Sequence, residues 1–104
     1  MDEFQAASGL SALGNRTRLR LFRLLVKAGE AGMNVGDIQA LIEVPASTLA
    51  HHLATLARCG LVIQERRGRE VISRADYGAI RALTGYLSEE CCTGVGIGRN
   101  TDAA

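Results

Sequence analysis

The sequence predicts a mainly α-helical protein of about five helices with one small β-hairpin, a two-stranded wing. Three observations carry this. Apolar residues recur at helical spacing in several short stretches. Asn15, Ser47 and Asp76 stand where helix starts are expected. Two β-prone runs flank "RRGR" at residues 66–69. At 104 residues the chain suits one compact domain, with 47% apolar residues to build its core. We expect residues 1–92 to form that domain and 93–104, which are glycine-rich and polar, to be a flexible tail.

The elements follow in order. Phe4, Ala7 and Leu10 predict a first helix over 2–12. Asn15 caps a second over 16–28, with Leu19, Phe22, Leu25 and Val26 as its apolar stripe and Arg16, Arg20, Arg23 and Lys27 on its wet side. Gly29 and Gly32 bracket the loop that ends it. A short third helix spans 35–43, burying Ile38, Leu41 and Ile42. Pro45 cannot continue it, and Ser47 is a good cap for the next. The fourth helix, 48–59, points Leu49, Leu53, Leu56 and Ala57 inward, and Gly60 stops it. Runs at 61–65 and 70–73 form the hairpin, with a basic tip and a glycine for the turn. Asp76 caps a fifth helix reaching about Glu90, with Ile80, Leu83 and Leu87 along it.

Two short helices across a four-residue connector, followed by a hairpin, predict a winged helix-turn-helix. The fourth helix is then the recognition helix. Ser47, Thr48, His51, His52, Thr55 and Arg58 are its candidate contacts to base edges and phosphates, and Arg66, Arg67 and Arg69 are those of the wing. Charge agrees with this reading. Between Gly14 and Arg74, ten basic and five acidic residues give a balance of +5, while the remainder, two basic and six acidic, gives −4. Eleven of the twelve cations are Arg, whose planar fork suits phosphate. Adjacent His51 and His52 diverge by about 100° on a helix and cannot chelate one ion well.

No apolar run nears the roughly 18 residues of a membrane span. The acidic N-terminus lacks the basic start of a signal peptide, so a cytoplasmic, reducing location is expected. Three cysteines, an odd number, agree with that and argue against a disulfide framework. With no nucleophile–base–acid set and no phosphate loop, an enzyme is not expected.

"ALGNRTRLRLFRLLVKAG", "STLAHHLATLARCGLV" and "RRGREVISR" together resemble the ArsR/SmtB family of bacterial repressors over about residues 10–90. The resemblance implies a homodimeric winged-helix repressor on double-stranded operator DNA, needing no cofactor to bind and released by an inducer. The first and last helices would form the dimer interface, through Phe4, Leu10, Ile80, Leu83 and Leu87. The Cys-Val-Cys inducer site of many arsenic-sensing relatives is absent, because Asn34 and Gly36 stand at its cysteine positions. The zinc site on the last helix is absent too: Asp76 remains, but no histidine follows.

That leaves "YLSEECCTG", residues 86–94, which is similar to relatives with a vicinal cysteine pair that sense trivalent arsenic. A third cysteine of that subgroup is replaced by Gly98. Trivalent arsenic and antimony are soft and favour three sulfurs. Cys91 and Cys92 supply two. The third falls to Cys59, a partner chain, a small thiol, or the carbon of a methylated or aromatic arsenical; inorganic arsenite stands slightly ahead, because Cys59 is on hand as a third sulfur. Glu89 and Glu90 beside the pair are expected to raise the thiol pKa values. Two other readings stay open: a redox- or persulfide-responsive repressor of the same fold, and a winged-helix module for a protein partner.

Overall fold

The computed structural model describes residues 1–96. Its elements are α1 (Glu3–Leu13), α2 (Arg16–Ala28), a 3₁₀ turn (Gly29–Ala31), β1 (Met33–Asn34), α3 (Val35–Leu41), α4 (Ala46–Arg58), β2 (Val62–Arg67), β3 (Glu70–Ala75) and α5 (Tyr77–Ser88). The sheet is antiparallel in the order β1-β3-β2. The fold is thus a winged helix-turn-helix, mainly helical with a small β wing.

Local chemistry sets most helix starts. Asp2 accepts from Gln5 N and Gln5 Oε1 accepts from Asp2 N, a capping box. Asn15 Oδ1 accepts from Arg18 N at 3.0 Å, Asn34 Oδ1 from Asp37 N at 2.8 Å, and Asp76 Oδ1 from Ala79 N at 3.1 Å. Ser47 does not cap α4. That helix begins two residues earlier, at Ala46, because Pro45 holds φ −59 and its carbonyl already accepts from Leu49 N. Ser47 therefore lies inside the first turn.

The core runs between the helices and the sheet: Leu21, Leu25, Ile38, Leu49, Leu53, Leu56, Leu61 and Leu83 are all within 1% of full burial. Each contributes roughly 1.5–3 kcal/mol of transfer free energy. Two expected faces, those of α2 and α3, are rotated. On α2 the buried stripe is Leu21, Phe22 and Leu25, while Leu19 and Val26 are exposed. On α1 the protomer buries Ala6, Gly9 and Ala12 and leaves Phe4 and Leu10, expected at a dimer interface, exposed. On α3, Ile38 and Ile42 turn inward and Leu41 turns out, since so short a helix buries one narrow strip. Small residues let α1 lie close to its neighbours: a Cβ on Gly9 would meet Leu83 Cδ2 at 3.2 Å. Leu83 is consequently part of this chain's own core.

The third strand is an addition to the expected hairpin. Met33 pairs with Ser73 and Asn34 with Ile72. Gly32 makes this possible at φ +68, where a Cβ would lie 2.6 Å from the Ser73 carbonyl. At the far end, Gly68 at φ +63 opens the two-residue turn between paired Arg67 and Glu70. Helix α5 stops at Ser88, two residues short of the expected Glu90, because Glu89 is extended and Glu90 has φ +61.

Candidate nucleic-acid interface and thiol pair

The exposed side of α4 presents Ser47, His51 and Arg58, with Thr48 and Thr55 half-buried beside them. No side chain caps the N-terminus of α4, so its first backbone N–H groups are left for an outside acceptor such as a phosphate. Thr55 Oγ1 donates to the His51 carbonyl at 3.0 Å and keeps only acceptor capacity for anything else.

His52 belongs to the inner side. Its Nδ1 lies 3.3 Å from Arg18 Nη1, and Arg18 Nε donates to the Ala12 carbonyl at 2.7 Å. A guanidinium can only donate, so this contact needs a neutral imidazole with Nδ1 free to accept. Burial first, then the charge of Arg18 and of His51, lowers the His52 pKa from 6.5. His52 thus ties α4 to α2 and, through Arg18, to the end of α1. Arg18 is not one of the wet-side cations expected on α2: 18, 21, 22 and 25 form the i, i+3, i+4, i+7 stripe that the helix buries.

In the wing, Arg66 and Arg69 are exposed and have no carboxylate within 4.0 Å among the described residues. Arg67 lies 3.4 Å from Glu65, which also accepts from Arg74 at 2.6 Å. The Arg74 hydrogen bond, then that of Arg67, holds the Glu65 carboxyl below its usual value. Asn34 Nδ2 donates to Glu70 at 2.6 Å and braces the wing against the start of α3.

Cys91 and Cys92 follow α5 in a turn rather than on the helix, closed by hydrogen bonds from Cys91 N to the Ser88 carbonyl and from Thr93 N to the Glu90 carbonyl. Both are exposed free thiols, and their sulfurs stand 2.7 Å apart. Cys92 lies in the left-handed region at φ +70. The Cys91 thiol is pushed up, as expected, but by its hydrogen bond to Cys92 and then by partial desolvation, not by Glu89 and Glu90. Cys59 is half-buried, donates to the Leu56 carbonyl at 3.4 Å, and lines a cleft between α1 and α4 with Phe4, Arg18 and Arg58. Among the described residues no three His, Cys, Asp or Glu side chains come together as a metal site, so one protomer does not bring Cys59 to the pair. Gly98 lies outside the described residues.

Of the expected dimer residues, Phe4 is 72%, Leu10 43% and Leu87 61% exposed. Ile80 is half-buried and Leu83 faces inward. No helix among the described residues is long and apolar enough to cross a membrane.

A helix-turn-helix domain model matches residues 13–65, just over half of the chain. The chain is 34% identical over 79 residues to a putative arsenical resistance operon repressor, ArsR, of Halobacterium salinarum, covering 66% of this chain and 60% of that protein. It thus spans less than two thirds of that relative's length. It is 28% identical over 83 residues to the transcriptional activator HlyU of Vibrio cholerae, covering 80% of this chain and 74% of the relative. A homodimeric winged helix-turn-helix DNA-binding domain from Mycobacterium bovis, a possible ArsR-family regulator, superposes with a TM-score of 0.65 at 26% identity over 85% of this chain and 82% of that one. The helix-turn-helix of α3 and α4, the wing and these relatives agree: the chain belongs to the helix-turn-helix family of that model and to the ArsR family of winged-helix transcriptional regulators.

Proposed function

We propose that the protein is a homodimeric repressor that grips operator DNA with α4 and the wing and releases it when a trivalent arsenical binds Cys91 and Cys92. The adjacency of the two exposed sulfurs, 2.7 Å apart directly after α5, carries this reading. Each arsenic–sulfur bond forms as a thiol proton leaves with a hydroxide of the arsenical, as water. Two such steps seat the ion on the pair, and the raised Cys91 pKa is no obstacle because the soft ion displaces the proton. The absence of a third thiol beside the pair within one protomer favours a methylated or aromatic arsenical, which brings its own carbon substituent. For arsenite or antimonite the third sulfur would be Cys59 of a second copy or a small thiol.

The exposed Phe4, Leu10 and Leu87 on α1 and α5 support a dimer built from those helices. A ligand on the turn that ends α5 would then alter the spacing of the two recognition helices. The repressor named among the relatives supports repression; the activator among them makes the sign of regulation part of the test. Exposed Arg66 and Arg69 and the open N-terminus of α4 favour DNA over a protein as the partner of this face. A raised thiol pKa counts against a fast peroxide switch at the same pair.

The test is operator binding by fluorescence anisotropy during titration with arsenite and with methylarsonous acid. Release by the methylated compound at lower concentration than by arsenite is expected. Cys91→Ser and Cys92→Ser proteins should bind the operator normally and stay bound. Operator affinity indifferent to both compounds in the wild type rejects the reading.

A further inference from the structure

The outer face of α2 takes no part in the proposed switch, yet it has the makings of a site. Arg16, Arg20, Arg23 and Lys27 follow one another at i, i+4, i+7 and i+11, which places them within about 60° of each other on the helix. All four are exposed, and none has a carboxylate within 4.0 Å among the described residues. Four parallel unpaired cations repel one another, and nothing in the chain's own packing accounts for the row.

The row does not stand on a flat surface. With Leu19 and Leu24 of α2 and Leu41 and Ile42 at the end of α3 it lines a groove of about 630 Å³ that contains no acidic side chain. Leu19 is 45% and Leu41 64% exposed, so the groove keeps large apolar side chains in water as well as cations. Its partner must therefore offer carboxylates or phosphates together with apolar groups. A nucleic-acid backbone offers only the first and would leave the leucines wet. An anionic bilayer offers both, but a concave trough between two helices fits a cylinder better than a sheet of headgroups.

We infer that this groove docks an acidic amphipathic helix of a protein partner. Arg16 to Lys27 spans roughly 16 Å, about three turns of such a helix. Its leucines would lie against Leu19 and Leu41, and flanking glutamates would meet the arginine row, the helix-in-groove mode of recognition. The groove is separate from the exposed face of α4 and from the thiol pair, so this inference and the arsenical reading stand or fall independently.

The probe is a fluorescein-labelled peptide of about fourteen residues, with leucines at i, i+3 and i+7 flanked by glutamates, titrated with the full chain. Saturable binding is expected, weakened at least about tenfold by Arg20→Glu/Arg23→Glu and, separately, by Leu41→Ser. Both changes lie on the exposed surface, and unchanged thermal melts would confirm that the fold is kept. A scrambled peptide of the same composition should bind at least about tenfold more weakly. Equal binding of the scrambled peptide, indifference to Leu41→Ser, or no saturable binding overturns the inference. So does co-sedimentation with phosphatidylglycerol vesicles that depends on Arg20 and Arg23 while the peptide fails to bind. Loss of duplex DNA binding in the charge-reversed protein without loss of peptide binding assigns the row to phosphates instead, which also overturns it.

Discussion

Arg18 and His52 show how one contact fixes a charge state. Because Arg18 Nη1 donates toward His52 Nδ1, protonating the ring would set two cations against each other in a half-buried place. The folded-state pKa lies below 6.5, so on acidification the unfolded chain takes up its proton first. Stability from this site is intact above about pH 6.5 and falls as the pH drops toward the folded value. Thermal melts between pH 8 and pH 5.5 should show a loss of melting temperature that His52→Gln removes and His51→Gln leaves in place. An identical pH profile for wild type and His52→Gln would sink this account. The half-burial of His52 is legible in the sequence, three residues after Leu49. The partner is not, because Arg18 is 34 residues away and only the crossing of α2 and α4 brings it near.

Among the elements, β1 is the one that local sequence hides. Met33 and Asn34 are too few to read as a strand, and they become one only by pairing with β3. Gly32 is the hinge of that pairing. Gly32→Ala would force a positive φ on a residue with a side chain and press its Cβ on the Ser73 carbonyl and Ile72 Cγ2. A loss of about 3 kcal/mol is expected in urea denaturation. Gly68→Ala, at a similar φ but with nothing within 4 Å of its Cβ, should cost only about 1 kcal/mol. Comparable losses would mean that the contact with β3 is not what matters. The caps at Asn15 and Asp76 are legible because each is a single polar residue before an apolar period. The start of α4 is not: Ser47 has the chemistry of a cap, but Pro45 sets the backbone first.

At the scale of the whole molecule, the apolar stripe of α1 has two possible destinations, the chain's own core or a second copy. Periodicity marks Phe4, Ala7 and Leu10, yet the protomer buries Ala6, Gly9 and Ala12 and leaves Phe4 in water. Large exposed apolar side chains on α1, with Leu87 on α5, form a face that a small domain gains stability by covering. Phe4→Asp should therefore shift the protein from two chains to one in sedimentation equilibrium and weaken operator binding at least about tenfold, because a lone recognition helix reads one half-site. Circular dichroism should be unchanged, since Phe4 is 72% exposed in the protomer. A Phe4→Asp protein that remains dimeric would contradict this assignment of the interface.

By itself the sequence determined the order of the helices, the capped starts of α2 and α5, the basic hairpin and the presence of two adjacent thiols. These depend on neighbours within a few residues, where propensity and periodicity are strongest. Only the tertiary structure decided which stripe of α1 and α2 is inside, that Leu83 packs against Gly9, and that Met33 and Asn34 complete the sheet. It also decided that Cys59 lies apart from Cys91 and Cys92 within a protomer. Those outcomes turn on helix rotation and chain crossing, which depend on the shapes of distant partners rather than on any local pattern.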